Sequence, residues 1–90
     1  MERAIITVVG KDTVGIIAGV CGLLAGQQVN ILDISQTVMQ EYFTMIMLVD
    51  TARCSLPFGE LADELHAWGE SRGLSVRIQH EDIFNAMHRI

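Results

Sequence analysis

Aromatic residues are scarce in this 90-residue chain, at 6%, while half of all residues are hydrophobic. A core must therefore be assembled from Ile, Val, Leu, Met and Ala. Cysteine is scarce too, and Cys21 and Cys54 are too few for the framework of a disulfide-rich secreted domain. Six basic residues lie scattered singly in a chain of net charge −5, which argues against a nucleic-acid groove built on clustered Lys and Arg. The longest uncharged apolar stretch, Val14 to Gly26, stops well short of the ~20 residues that span a bilayer. Asp12 directly before it, and Glu2 beside Arg3, leave no positive flank of the kind a signal peptide carries. Disorder is excluded as well, because the apolar content is too high and the net charge too small. The expectation is a cytoplasmic protein that engages neither nucleic acid nor membrane.

The length allows one domain, residues 1–90, since two would each be too short to bury a core. A chain of this size buries only roughly 60–65% of its unfolded surface. Its mean hydropathy of +0.35 is high for a small monomer, which points to apolar surface held in an interface.

Arg3 to Val9 (RAIITVV) is β-branched and stops at Gly10, the pattern of a strand buried on both faces. Gly10 to Gly15 (GKDTVG) is a turn. The length and lack of alternation of Gly15 to Gln27 favour a helix, whose Gly19, Gly22 and Gly26 suit close approach to a sheet or another helix. Val29 to Met39 alternates, with Leu32, Ile34 and Val38 on one face and Asp33, Ser35 and Thr37 on the other. Tyr42 to Val49 is apolar on both faces, Phe43, Met45, Met47 and Val49 against Ile46 and Leu48, so it belongs in the centre of a sheet. Ser55 and Pro57 start a second helix and Gly73 ends it, with Phe58, Leu61, Leu65 and Trp68 as its apolar stripe. Leu74 to Gln79 alternates as a half-exposed edge strand, and residues 81–90 (EDIFNAMHRI) form a short C-terminal helix. The order β-α-β-β-α-β predicts an α+β, ferredoxin-like sandwich over residues 1–80, with antiparallel sheet order 4-1-3-2 and both helices on one face. The opposite face is bare, and Ile46 and Leu48 there call for a two-fold dimer or another partner.

The turn after the first strand is the main candidate site. Free N–H groups at Gly15, Ile16 and Ile17 would point out of a helix N-terminus, where the dipole favours an anion. Asp12 can receive a ligand ammonium. The same residues also fit a structural role, with Asp12 or Thr13 capping the helix and the glycines serving the turn.

The segment VVGKDTVGIIAGVCGLLAGQQVNILDISQ, Val8 to Gln36, resembles the ACT domain, a small-molecule-sensing regulatory module. It carries that family's strand, G-x-D-x-x-G-[IL] turn, small-residue helix, and Asn-Ile pair opening the second strand. It is similar to the N-terminal segments of formyltetrahydrofolate deformylases, to glycine-cleavage repressors and to stand-alone ACT proteins of about this length. The resemblance implies paired domains, with an effector held between the turn of one protomer and the second strand of another. The matching positions are Gly10, Asp12, Gly15 and Asn30, with Ile31 beside them, and position alone adds Lys11, Thr13, Val14 and Ile16. An amino-acid effector is implied, its carboxylate on backbone N–H groups and its amine on Asp12 or the Asn30 amide. Val14 stands where many such turns carry proline, and the hairpin lacks the family's frequent glycine.

Other chemistries find less support. The glycines at 10, 15, 19 and 22 do not match the G-x-G-x-x-G dinucleotide fingerprint, and no G-x-x-x-x-G-K-[ST] loop is present. His80 and His88 are eight residues apart, roughly 12 Å along a helix, too far to share one ion. His66 and Glu70 are half a metal site at most, and otherwise a solvated face. Neither cysteine has the surroundings of a reactive thiol, apart from Arg53 beside Cys54. Nothing places Ser35 or Ser55 near a histidine. An acylphosphatase-like hydrolase on the same fold wants an Arg in the first turn, which offers Lys11 alone. The expectation is a non-catalytic homodimer or higher oligomer, without cofactor or metal, that senses a small effector and reports it to a protein partner. The rival is a constitutive accessory subunit whose turn is purely structural.

Overall fold

A computed structural model of the chain describes residues 2–11 and 15–82. Six elements follow in order: β1 (Arg3–Lys11), α1 (Ile16–Gly26), β2 (Asn30–Met39), β3 (Tyr42–Asp50), α2 (Phe58–Glu70) and β4 (Leu74–His80). The strands form one antiparallel sheet in the order β2-β3-β1-β4, which is the expected 4-1-3-2 order read from the other edge. Beyond Glu81 and Asp82, which are helical, the expected C-terminal helix lies outside the described residues. No helix among the described residues is long and apolar enough to cross a membrane.

Alternation in the strands produces the core. Ala4, Ile6 and Val8 of β1, Phe43, Met45, Met47 and Val49 of β3, and Leu74, Val76 and Ile78 of β4 share one face. They are buried under Ile16, Val20 and Leu24 of α1 and Leu61 and Leu65 of α2. At ~25 cal/mol per Å² of apolar surface removed from water, this layer is the main stabilising term. Gly19 brings α1 onto α2, because a Cβ there would run into the Trp68 ring. Gly22 and Gly26 face open space instead, so close packing accounts for one of the three helix glycines and not for the others.

β1 is not buried on both faces. Ile5 and Thr7 are half-buried and Val9 is 43% exposed, because both helices lie on the other side of the sheet. The bare face thus carries Ile5, Val9, Ile46 and Leu48, as the apolar outer positions of β3 predict. β2 departs from its simple alternation. The register shifts between Ile31, opposite Val49, and Asp33, opposite Leu48, so Leu32 is an extra residue with no partner in β3. Beyond it Ile34 and Val38 sit on the helix side, opposite Met47 and Phe43. The helix layer does not reach them, and both remain exposed. The β2–β3 hairpin turns through Gln40 and Glu41, with Gln40 taking the positive φ of 56° that a glycine would adopt more readily.

Candidate functional site

The candidate residues fall at two ends of the sheet. Gly10 and Lys11 are the last residues of β1 rather than part of the turn, opposite Phe43 and Tyr42. Gly15 caps α1 in the left-handed region, at φ 86°, where any side chain would be strained. Having no side chain, it caps without a side-chain hydrogen bond. Among the described residues no side chain caps the start of α1, where the helix dipole is positive. The Ile16 side chain is buried in the core and fixes the helix start without facing a ligand. A Cβ at Gly10 would meet the end of the Leu74 side chain and lie 3.3 Å from the Gly73 carbonyl oxygen, so packing against β4 is reason enough for a glycine here, whatever the turn binds. Asp12, Thr13 and Val14 lie outside the described residues.

Asn30 and Ile31 open β2, opposite Asp50 and Val49. Asp50 also pairs with Arg3, at the start of β1. Since Phe43 marks the Gly10 level and Asp50 the Asn30 level, the two groups stand about 24 Å apart at the strand rise per residue. One chain does not bring them together.

Around Asn30 lies a recess of about 470 Å³ lined by Gln28, Val29, Asn30, Asp50 and Arg53. Its walls are the α1–β2 turn and the β3–α2 loop, tied together by the Ser55 hydroxyl, which donates to Gln27 Oε1 (2.7 Å), and the Ser55 N–H, which donates to the Gln27 carbonyl (3.1 Å). The Asp50 carboxylate accepts through Oδ1 from the N–H groups of Ala52 (3.0 Å) and Glu2 (3.1 Å). The Ala52 bond is the main reason its pKa lies below the ordinary carboxylate value; partial desolvation opposes it, and the Glu2 bond and nearby positive charges, the N-terminal ammonium ahead of Arg53, help it. Nearby, His80 stacks on Phe58 with ring centroids 3.8 Å apart, and Arg3 pairs with Glu81 at 2.7 Å. The start of the C-terminal segment is therefore anchored at the Asn30 end of the sheet, not at the glycine turn. Of the residues that line this recess, the sequence motif marks Asn30 but not Asp50 or Arg53. No spacing rule links residues so far apart in the chain; the β2–β3 register sets Asp50 opposite Asn30, and Arg53 follows in the loop after β3.

A depressed pKa means that ionised Asp50 stabilises the fold above the usual carboxylate range, and that this contribution disappears as pH falls through its folded value. Asp50→Asn should lower stability at pH 7 and leave it unchanged at strongly acid pH. Denaturant unfolding across a pH series reads this directly. A pH-independent difference would show that the two backbone bonds do not favour the charged form.

His66 and Glu70 form an exposed i,i+4 pair at 3.0 Å, and among the described residues no three His, Cys, Asp or Glu side chains converge as metal ligands would.

A four-stranded antiparallel sheet under two helices, with a glycine-capped first helix, defines a class, and comparison places the chain in it. Residues 2–79 match the ACT domain family, and the chain belongs to that family. A UPF0237 protein of Clostridium acetobutylicum is 57% identical over 88 residues, covering 98% of this chain and 99% of the relative. An ACT domain protein from Streptococcus pneumoniae has the same fold, with a TM-score of 0.81 and 47% identity over 92% of this chain and 93% of the other. A formyltetrahydrofolate deformylase from Pseudomonas syringae matches 89% of this chain and 28% of its own length at TM-score 0.82 and 20% identity, a likeness of fold alone. ACT domains usually serve as regulatory, ligand-binding domains.

Proposed function

We propose that this chain is a non-catalytic, cytoplasmic regulatory domain that binds an amino acid between two copies of itself. The observation that carries this reading is the placement of the candidate residues at opposite ends of one sheet, combined with an open edge at β2. β2 and β1 both run antiparallel to β3, so β2 is parallel to β1 and ends near the turn. If a second copy adds its β2 antiparallel to this one, Asn30 of each chain approaches the end of the sheet that carries the other chain's Gly10–Gly15 turn. The edge invites such pairing. It is 10 residues long, has no Lys, Arg or Pro, and exposes Leu32, Ile34, Val38 and Met39. Apart from the bulge at Leu32 and the single charge of Asp33, it lacks the features that usually block the edge strands of monomers. α1 has no charged residue along its whole length, so its outer surface can follow the edge into the same interface. In the pocket so formed, the effector carboxylate meets the N–H groups at the start of α1, and its ammonium meets Asp12 or the Asn30 amide. An effector that bridges chains binds the dimer better than the monomer, and that difference is what couples binding to output.

Thermal unfolding of the purified protein against single amino acids tests the reading. A ligand at a hundred times its dissociation constant adds about 2.7 kcal/mol, which raises the midpoint by ten degrees or more in a domain of this size. The expected result is a selective shift that Asp12→Ala removes while the dimer persists on a sizing column. No shift with any amino acid at millimolar concentration would sink the sensing role, and an intact dimer in that case would favour the accessory subunit.

A further inference from the structure

We infer that the recess between the α1–β2 turn and the β3–α2 loop is a subsite for a small zwitterion, with Arg53 holding the carboxylate and Asp50 the ammonium. The inference rests on the reading of Asn30 as an effector residue and adds to it two charged residues that no motif marks.

The recess contains both charges without a direct ion pair between them. Among the described residues the only ion pairs are Arg3 with Glu81 and His66 with Glu70, so Arg53 and Asp50 share the recess without closing on one another. Asp50 is not free to swing across, because its Oδ1 is held by two backbone N–H groups. Its Oδ2 accepts no hydrogen bond among the described residues. Arg53 is exposed, and its guanidinium fork matches a carboxylate with two parallel hydrogen bonds. Asn30 and Gln28 line the same space and each can donate and accept. At about 470 Å³ the volume lies in the range of small-molecule sites.

The charge pattern also sets selectivity. A simple anion meets Arg53 but is opposed by Asp50 and by the net charge of −5. A simple amine meets Asp50 but is opposed by Arg53. A molecule that carries both charges satisfies both groups. That describes an α-amino acid better than a free carboxylic acid or an amine, and it places a carboxylate anchor at the opposite end of the sheet from the glycine turn of the same chain.

The test is an NMR titration of the isotope-labelled full chain with the standard amino acids one at a time. The best binder is then repeated as its decarboxylated amine and as its deaminated acid. Saturable shifts at the amides of Gln28, Asn30, Ala52 and Arg53 are expected. Binding should weaken by about tenfold or more when either charged group is removed from the ligand, and likewise in Arg53→Gln. Arg77→Gln, which removes an exposed cation from β4, should bind like the parent, and the spectra of both variants report folding directly. Shifts confined to Gly10, Lys11 and Gly15, with Arg53→Gln unaffected, would overturn the subsite and leave the proposed function standing. Equal weakening in the two arginine variants would also overturn it, since general charge would then explain the loss. Absence of saturable shifts at either end for every amino acid removes both readings.

Discussion

Leu65→Ala is expected to destabilise the domain by about 2–5 kcal/mol, the usual loss for truncating a fully buried leucine. Leu65 is 0% exposed and lies on the face of α2 that covers the sheet, within the cluster that includes Leu61, Val76 and Met47. The helix gains almost nothing in return, because leucine and alanine are close in helix propensity. The cost therefore measures the transfer of the side chain plus the cavity left behind. A domain of this length is stable by only about 5–13 kcal/mol, so the change removes a large share of the total. At roughly 4–8 °C per kcal/mol the midpoint should fall by about 10 °C or more. Leu65→Met, which conserves volume, should lose less than about 1.5 kcal/mol. Equal losses in the two variants would mean that burial under α2 is not what the position contributes.

That core is the part of the molecule most legible in the sequence, because burial imposes a period. Phe58, Leu61, Leu65 and Trp68 mark one helix face, and Leu74, Val76 and Ile78 alternate as they must on a strand covered on one side. The apolar outer face of β3, at Ile46 and Leu48, placed that strand in the centre of the sheet. β1 misled for the related reason that β-branched composition does not distinguish a doubly buried strand from one beneath an open apolar face. Leu32 escaped because a bulge leaves no trace in composition; its alternation with Ile34 reads the same whether or not a residue is looped out. Asn30 was readable through a local motif. Asp50 and Arg53 were not, since the antiparallel register of β2 on β3 sets Asp50 opposite it and Arg53 reaches the same recess from the loop beyond. The glycines were legible as a group but not one by one. Their demand for space is set by what stands opposite, and for Gly69 that is a strand it meets only after the fold has formed.

Gly69→Ala isolates this last point, and it is expected to destabilise the fold although alanine is the better helix former by about 1 kcal/mol. Gly69 is buried at the end of α2, and an added Cβ would lie 2.6 Å from Val76 Cγ2 and 2.9 Å from the Leu74 carbonyl oxygen. Val76 is β-branched and stiff about χ1, and the Leu74 carbonyl belongs to β4, whose position is held by its pairing with β1. Neither neighbour can yield alone, so α2 must lift from the strand. Overpacking of this kind costs about 1–3 kcal/mol, which outweighs the propensity gain and leaves a net loss of up to about 2 kcal/mol. Gly22→Ala makes the same chemical change inside α1, where a Cβ meets nothing within 4 Å. There the reduced freedom of the unfolded chain and the better helix propensity should stabilise the monomer by about 0.4–1 kcal/mol. The two variants should move the unfolding midpoint in opposite directions, and a shift of the same sign in both would refute the packing account of Gly69. Gly22 carries a second reading if α1 lines the contact between copies. Its variant would then melt higher at low concentration yet elute more as monomer, because the added methyl groups would stand between two helices that glycine lets meet.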